Sequence, residues 1–527
     1  MKYLTFILCL FLSIQTFAQL DITKKADLEW GEELDIKRRQ TLDSMVTTVD
    51  DKLYVLIDER NNKILQEYGT DLKYKRSVEI PLRIDREFYD FQNITYLNGR
   101  FIVFLSKFER REDKTDLYYT TVDREDLSTD MKLVHLGELQ SKQAGLKKEQ
   151  GSFDFDISED ESKILIFKHI PNADREPEKY SFQVFDSQLN QLWEDEVQLN
   201  YSEELFEVLD IRTTNSGDVF VMGKEFEDRK AKRKEDETQH TFHLLKYNSG
   251  GNKAKDFEIE VGEKFVTDIQ FAVRDNEDII VSGFYSTVDN TMINGTFFIT
   301  IDGETQKVKT SSLKAFDEDF ITEGMTLREE KKAKRKAERK DEDLGLSNFD
   351  IREFIIYPDG SIKILAEQYF ETTVTSTSSG ADGMVTTTSY TQFNYENIII
   401  ISVNADGDIE WNALVEKEQI AVVPGGRFLH VMPKENGDIR LFYNLEMDDY
   451  LDRGQMGDLK RKARRGDVTL YTIVNDNGEL KEKVLFETED MDIVTVDALS
   501  DPNDENTMIL YTIENDRDKS FAKVSFR

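Results

Sequence analysis

Apolar and polar positions alternate along this chain in short runs, and the runs come in groups of four. Between Leu205 and Val261 an extended segment, Leu205–Arg212, ends in the turn Asn215-Ser216-Gly217-Asp218. A second strand is predicted over Val219–Lys224, followed by a charged excursion. A third, Thr241–Tyr247, runs into the turn Asn248–Asn252, and a fourth, Asp256–Val261, closes the unit. Short β-rich runs bounded by Gly, Asn and Asp are strands. Four of them in meander order, in about fifty residues, have the sequence form of one β-propeller blade.

Units of the same form are predicted at Gln40–Leu82, Glu87–Leu139, Gly151–Asn200, Lys264–Phe316, Asn348–Glu418 and Gly426–Thr488. The last stretch, Met491–Arg527, holds only three strands, and a solitary strand, Asp27–Ile36, stands at the other end of the chain. The expectation is therefore an all-β fold, a single β-propeller of four-stranded blades, eight in number, with seven as the alternative if one unit is misdivided. The N-terminal strand would join the last blade and so remove the exposed sheet edges of an open array. Trp193 and Trp411 each follow a turn and begin a fourth strand. Trp30, with similar acidic flanks, is expected at the same position.

The connections divide into two classes. First-to-second and third-to-fourth turns are short and rich in Asn-Gly and Asp-Gly, which supply the positive φ that tight hairpins need. Second-to-third connections are longer at Glu109–Lys114, Pro171–Glu178, Glu227–Gln239, Thr372–Thr391 and Asp448–Asp467, and one fourth-to-first connection, Asp317–Ser347, is the longest. In a meander those two loop classes leave the sheet on the same side. Insertions 227–239, 317–347, 372–391 and 448–467 thus decorate one face of a domain spanning residues 19–527.

Composition narrows the setting. Lys2, the apolar Leu4–Ile14 and the small-residue site Thr16-Phe17-Ala18 read as a signal peptide over residues 1–18, too short to span a bilayer. Cys9, the single cysteine, lies inside it, so the mature chain carries no thiol chemistry. Export into the periplasm or onto the outer membrane of a Gram-negative bacterium follows. With 105 acidic against 69 basic residues the net charge is −36, which argues against nucleic-acid partners.

Within this acidic chain three insertions are strongly basic: Arg229–Lys234, Lys331–Lys340 and Lys460–Arg465. The middle one, Leu327–Leu344, has strong helix formers and no apolar stripe, and reads as a solvated charged helix. Arg229, Lys232, Lys334, Arg335, Lys460, Arg461 and Arg464 are the candidate partner-binding residues, each a source of charge-assisted contacts to an anionic surface. Thr372–Thr391, rich in β-forming Thr, predicts a long hairpin with Gly380–Gly383 at its tip. The five histidines show no metal-ligand spacing, and His240 and His243, three apart on a strand, point to opposite faces. No catalytic residue, metal site or cofactor is predicted. There is no phosphate-cradling loop and no nucleophile elbow.

The segment Asn404-Ala-Asp-Gly-Asp-Ile-Glu-Trp411 resembles the turn-plus-tryptophan motif of quinoprotein-like and sialidase-like propellers, in which it staples blades and carries no catalysis. The signal ending Thr-Phe-Ala-Gln and repeats such as Val184–Trp193 resemble exported β-propeller proteins of Bacteroidota with quinoprotein-like or WD-like repeats. That resemblance implies a fold and brings no activity. The function expected is a non-catalytic binding or scaffold protein of the bacterial envelope, recognising a protein or anionic glycan. The alternative is a carbohydrate-active propeller enzyme, a glycoside hydrolase or lyase, whose carboxylates would converge on a central pocket with shifted pKa values.

Overall fold

A computed structural model describes residues 26–526 except 35, 38–39, 145–146, 172–175, 228–239, 250–251, 275, 289–291, 306, 324, 326, 341–343, 380–384, 422–427, 447–466, 487–492, 502–503 and 515–517. The predicted leader and the insertions at 228–239 and 447–466 lie outside these residues.

The described chain is all-β apart from two helices, α1 (Glu318–Thr322) and α2 (Leu327–Lys340). Seven four-stranded sheets and one four-stranded path carrying a fifth strand follow one another, each antiparallel. Sheets I to VIII have their first strands at Gln40–Val49, Asp90–Leu97, Ser152–Ile157, Phe206–Thr213, Phe265–Val273, Phe349–Ile356, Leu429–Pro433 and Ile493–Asp501. Sheets I to VII are plain meanders. Sheet VIII supplies three strands from the C-terminal end and takes its fourth from Ala26–Trp30, which pairs antiparallel from Ala26 opposite Phe526 to Trp30 opposite Ala522.

Each sheet is buried on both faces. The second strands therefore read as continuous apolar runs, Phe101–Leu105, Ile164–Phe167, Val219–Met222 and Ile279–Val281, whose alternate side chains serve different neighbours. Ile102 and Phe104 of sheet II pack with Ile164 and Ile166 of sheet III, whereas Phe101, Val103 and Leu105 pack with Tyr54 and Leu56 of sheet I. Similar clusters join III to IV, IV to V, V to VI, VI to VII and VII to VIII. An eighth puts Ile509, Tyr511 and Phe521 of sheet VIII against Met45, Leu53 and Val55 of sheet I.

The tight turns share one solution. In Thr214–Asp218, Tyr357–Ser361, Asn404–Asp408, Lys434–Asp438 and Asn475–Glu479 the fourth residue is Gly, its N–H donates to the first carbonyl, and the first N–H donates to the fifth carbonyl. Gly217, Gly360, Gly407, Gly437 and Gly478 all have φ between 85° and 90°, the left-handed region that a side chain resists. The Glu109–Lys114 connection, expected to be long, is a tight turn with Glu109 paired to Lys114 and Asp113 at φ 56°.

Trp193 and Trp411 lie near the start of the fourth strands of sheets III and VI. Their indole N–H groups donate to Gly217 O (3.0 Å) and Asp476 O (2.9 Å) in turns of the following sheets. Trp30 differs from the expectation. It sits at the far end of its strand, opposite Ala522, because Ala26 and not Trp30 pairs beside the third strand's end. Acidic flanks alone had aligned it with the others.

Candidate functional site

The insertion between sheets V and VI is partly core and partly surface. Asp317 caps α1 through Phe320 N at 2.8 Å, and Phe320 and Ile321 are buried with Phe316 among apolar residues of sheets V and VI. Leu344 packs on the same cluster, and its carbonyl accepts from Asn294 at 2.8 Å. Between these anchors α2 carries the basic run. Lys331, Lys332, Arg335 and Arg339 are exposed, whereas Lys334 is partly buried and lies 3.5 Å from Glu318. Lys334 and Arg335 are thus neighbours on one helix. The other candidate contact residues, Arg229, Lys232, Lys460, Arg461 and Arg464, lie outside the described residues, so the structure does not place them relative to α2.

The Thr-rich segment is a hairpin. Strand Ile362–Ser379 pairs with Val385–Val403 as far as Ser379 opposite Val385, and Thr372, Thr373 and Thr375 are exposed. Its root is held by a buried ion pair. Lys417 Nζ donates to Glu367 Oε1 at 2.7 Å and to Tyr395 O at 3.1 Å, with both charged side chains fully buried.

Sequence reasoning missed the polar pattern of the first strands. In sheets II, IV, V and VIII a bulge in that strand is followed by Asn93, Asp210, Asp268 or Asp497. The side-chain oxygen of each accepts from the next residue's N–H, at 2.7 Å for Ile94, 2.9 Å for Ile211, 2.8 Å for Ile269 and 2.9 Å for Ala498. Two carboxylates also bridge neighbouring first strands. Asp156 of sheet III accepts from Thr213 N of sheet IV at 2.6 Å, and Asp268 of sheet V from Ile351 N of sheet VI at 2.9 Å. A recurrent Asx followed by Ile or Ala at one place in these four repeats was the available signal.

Burial penalises charge on these groups more than the hydrogen bonds relieve it. Asp156 and Asp268 are each pushed up to about 6, and Asp210 and Asp497 are raised as well. They are the shifted carboxylates that an enzyme reading demands, but each commits at least one oxygen to a backbone N–H group, Asp268 commits both, and Asp210 Oδ2 is buried without a hydrogen-bond partner among the described residues.

Asp156 also borders a cavity of about 350 Å³ where the first strands of sheets III to VI end. Arg212, Arg274, Glu159 and Glu277 line it, with an apolar side made by Val273, Phe354 and Ile356. Arg212 Nη1 lies 2.8 Å from Asp210 and 3.7 Å from Asp156. Arg274 Nη2 donates to Gly360 O at 2.8 Å, and burial lowers its pKa.

The histidines are held by local partners. His243 Nδ1 lies 2.9 Å from Asp256, whose other oxygen accepts from Tyr201 OH at 2.6 Å. Burial opposes a charge on His243, but the hydrogen bond and charge of Asp256, with Glu225 and Glu258, outweigh it and raise its pKa. His430, pushed down to about 4 by burial, meets Ser500 Oγ at 2.7 Å. His240 faces the other way, 3.0 Å from Val266 O. Among the described residues no group of three or more His, Cys, Asp or Glu is arranged to hold a metal ion.

No protein-family model and no curated protein matches the chain. Solved structures do. One is prolyl oligopeptidase B from Galerina marginata, at 9% identity and TM-score 0.38 over 90% of this chain and 56% of that one. Another is the β-propeller domain of the Trilobed protease from Pyrococcus furiosus, at 12% and 0.33 over 86% and 97%. A third is the PL25 ulvan lyase, a polysaccharide lyase, at 12% and 0.34 over 82% and 90%. The chain thus spans about half the length of the prolyl oligopeptidase it matches. At such identities and scores none of these bears on what this chain does.

Proposed function

We propose that the chain is one closed propeller of eight blades and serves as a non-catalytic binding protein of the bacterial envelope, gripping a protein or anionic glycan through the cationic insertions of one face. The ring is supported by the eight apolar clusters, the last of which links sheet VIII back to sheet I, and by the N-terminal strand completing sheet VIII. The single observation that carries the binding reading is the use made of the central carboxylates. Asp156 and Asp268 each give one oxygen to a backbone N–H of the adjoining first strand, and Asp268 gives the other to its own Ile269 N–H, which is a structural task. No helix among the described residues is long and apolar enough to cross a membrane.

The test spares the anchors. Deleting the whole of Asp317–Ser347 would remove Phe320, Ile321 and Leu346 from the core, so exposed charge should be changed instead. A chain with Lys331→Glu, Lys332→Glu, Arg335→Glu and Arg339→Glu, together with wild type, is applied to an immobilised polyanionic glycan and to immobilised envelope proteins at low and moderate salt. Retention of wild type that falls with salt and is lost in the variant supports the reading. Equal retention of both forms overturns it. The carbohydrate-enzyme alternative rests on Asp156, a raised carboxylate bordering a cavity, and predicts glycan cleavage that Asp156→Asn abolishes.

A further inference from the structure

We infer that the cavity at the ends of the first strands of sheets III to VI is a binding site for a small monocarboxylate with a largely uncharged body. It lies beside the tight turns of those strands, away from the proposed cationic face, and its occupant is independent of the partner proposed there.

Four features of the lining carry this. First, the site is assembled from four successive sheets, so it is not a packing gap between two neighbours. Ile157, Thr213, Val273 and Ile356 each end or nearly end a first strand there. Second, its two cations differ. Arg212 is neutralised by Asp210 and Asp156 within its own surroundings. Arg274 has one protein acceptor, the carbonyl of Gly360, and no carboxylate within 4 Å among the described residues. The nearby Asp278 is engaged by Lys309 at 2.6 Å. Among the described residues Asp278 is thus the only countering charge near a half-buried guanidinium and is shared with Lys309, while Arg274 Nε is buried without a hydrogen-bond partner; a ligand carboxylate placed against it supplies charge-assisted hydrogen bonds.

Third, Phe354, Val273 and Ile356 give the lining an apolar part for the body of the ligand, and Asn215, whose Oδ1 accepts from Asp160 N, adds an amide N–H donor. Fourth, Glu159 and Glu277 lie on the same lining. They admit a single negative charge directed to Arg274 and repel a polyanion. About 350 Å³ holds a molecule the size of one sugar ring or one or two amino-acid residues.

A carboxylate of that size can come from a uronic acid or from a peptide C-terminus, and matched probes separate the two. The full mature chain is titrated with D-galacturonate, N-acetyl-L-alanine, D-galactose and N-acetyl-L-alanine amide, with binding read by calorimetry and by chemical-shift changes. Saturable binding of at least one carboxylate, with its neutral counterpart at least tenfold weaker, is expected. Two variants locate it. Arg274→Gln should weaken the carboxylate tenfold or more and leave the amide or sugar unchanged. Ile356→Trp, placed at the partly exposed rim without touching the Gly360 hydrogen bond, should block all probes while the melting temperature is preserved. Absence of saturable binding by either carboxylate to wild type overturns the assignment. So does equal affinity for acid and neutral probe, or unchanged affinity in a folded Ile356→Trp chain. None of these outcomes bears on the cationic face, which is tested with separate variants.

Discussion

Asp268 holds two strands at once: one carboxylate oxygen accepts from its own Ile269 N–H at 2.8 Å, the other from Ile351 N–H in the next sheet at 2.9 Å. The bulge that precedes Asp268 turns its side chain to reach both, and Gly283 of the second strand leaves the room, since a Cβ there would lie 2.0 Å from Asp268 O. The relationship makes a register pin between sheets V and VI. Replacing Asp268 by Ala leaves two N–H groups without that acceptor, and a loss of roughly 2–4 kcal/mol is expected from orphaned buried donors. Chemical denaturation measures it. Asn, which keeps one acceptor oxygen, should lose less than half as much.

The same burial has a pH signature. Burial raises the Asp156 pKa from the ordinary carboxylate range to about 6, so the folded chain holds its proton at pH values where the unfolded chain has released it. A group raised in the folded state stabilises most at low pH, and that contribution is lost as pH rises through the folded value. Other carboxylates are lowered and act with the opposite sign, Asp256 and Glu67 among them. The useful quantity is therefore the difference between wild type and Asp156→Asn. The variant should gain stability relative to wild type between about pH 4 and pH 6, by about 1–3 kcal/mol in all, and the difference should be flat above that window. Melting temperatures across the range decide it; a difference that shrinks with rising pH would refute the assignment.

How much of this could be read beforehand depends on what repeats. Strand groups were legible because the second strands, buried on both faces, are solid apolar blocks such as Ile279–Val281, and five of the turns place Gly at the same fourth position. The N-terminal strand was legible by subtraction, since the last group lacked one member. The register of Trp30 was not, because a strand's slide along its partner is set by side-chain packing of Ala26 and Leu28 and leaves no mark in local composition. The carboxylate pins were hidden among 105 acidic residues. What distinguishes Asp268 from its neighbours is a bulge, a backbone event that a single Asp-Ile pair announces only when several repeats are aligned. Arg274 was invisible for a related reason: what its guanidinium faces is set by four sheets meeting.

The root of the long hairpin makes a separate test. Glu367 and Lys417 are fully buried and 2.7 Å apart, with Arg352 Nε 3.3 Å from the second carboxylate oxygen. Removing one member strands a buried charge, so Lys417→Met should cost roughly 3–5 kcal/mol. Replacing both, as Glu367→Leu with Lys417→Met, removes the stranded charge and should recover most of that loss. A double variant no better than the single would mean that the pair matters through the hydrogen bond of Lys417 to Tyr395 O.

The strand Ala26–Trp30 completes sheet VIII, and truncation isolates its contribution. Ala26 and Leu28 pack on the cluster joining sheets VII and VIII, and the strand pairs with the C-terminal part of the third strand of sheet VIII, Ala522 to Phe526. Gly31 N continues the contact by donating to Phe521 O at 2.8 Å, and Leu34 N to Lys519 O at 2.7 Å. A chain beginning after residue 36 therefore loses apolar burial worth roughly 2–4 kcal/mol and presents a bare strand edge. It should melt earlier, and its light scattering should rise with concentration as exposed edges pair between molecules. Adding a peptide of residues 26–36 in trans should reverse both effects, because the pairing register is fixed by the strand itself. If the truncated chain melts with wild-type cooperativity and stays monomeric, sheet VIII is held by its contacts with sheets VII and I alone and the N-terminal strand is dispensable.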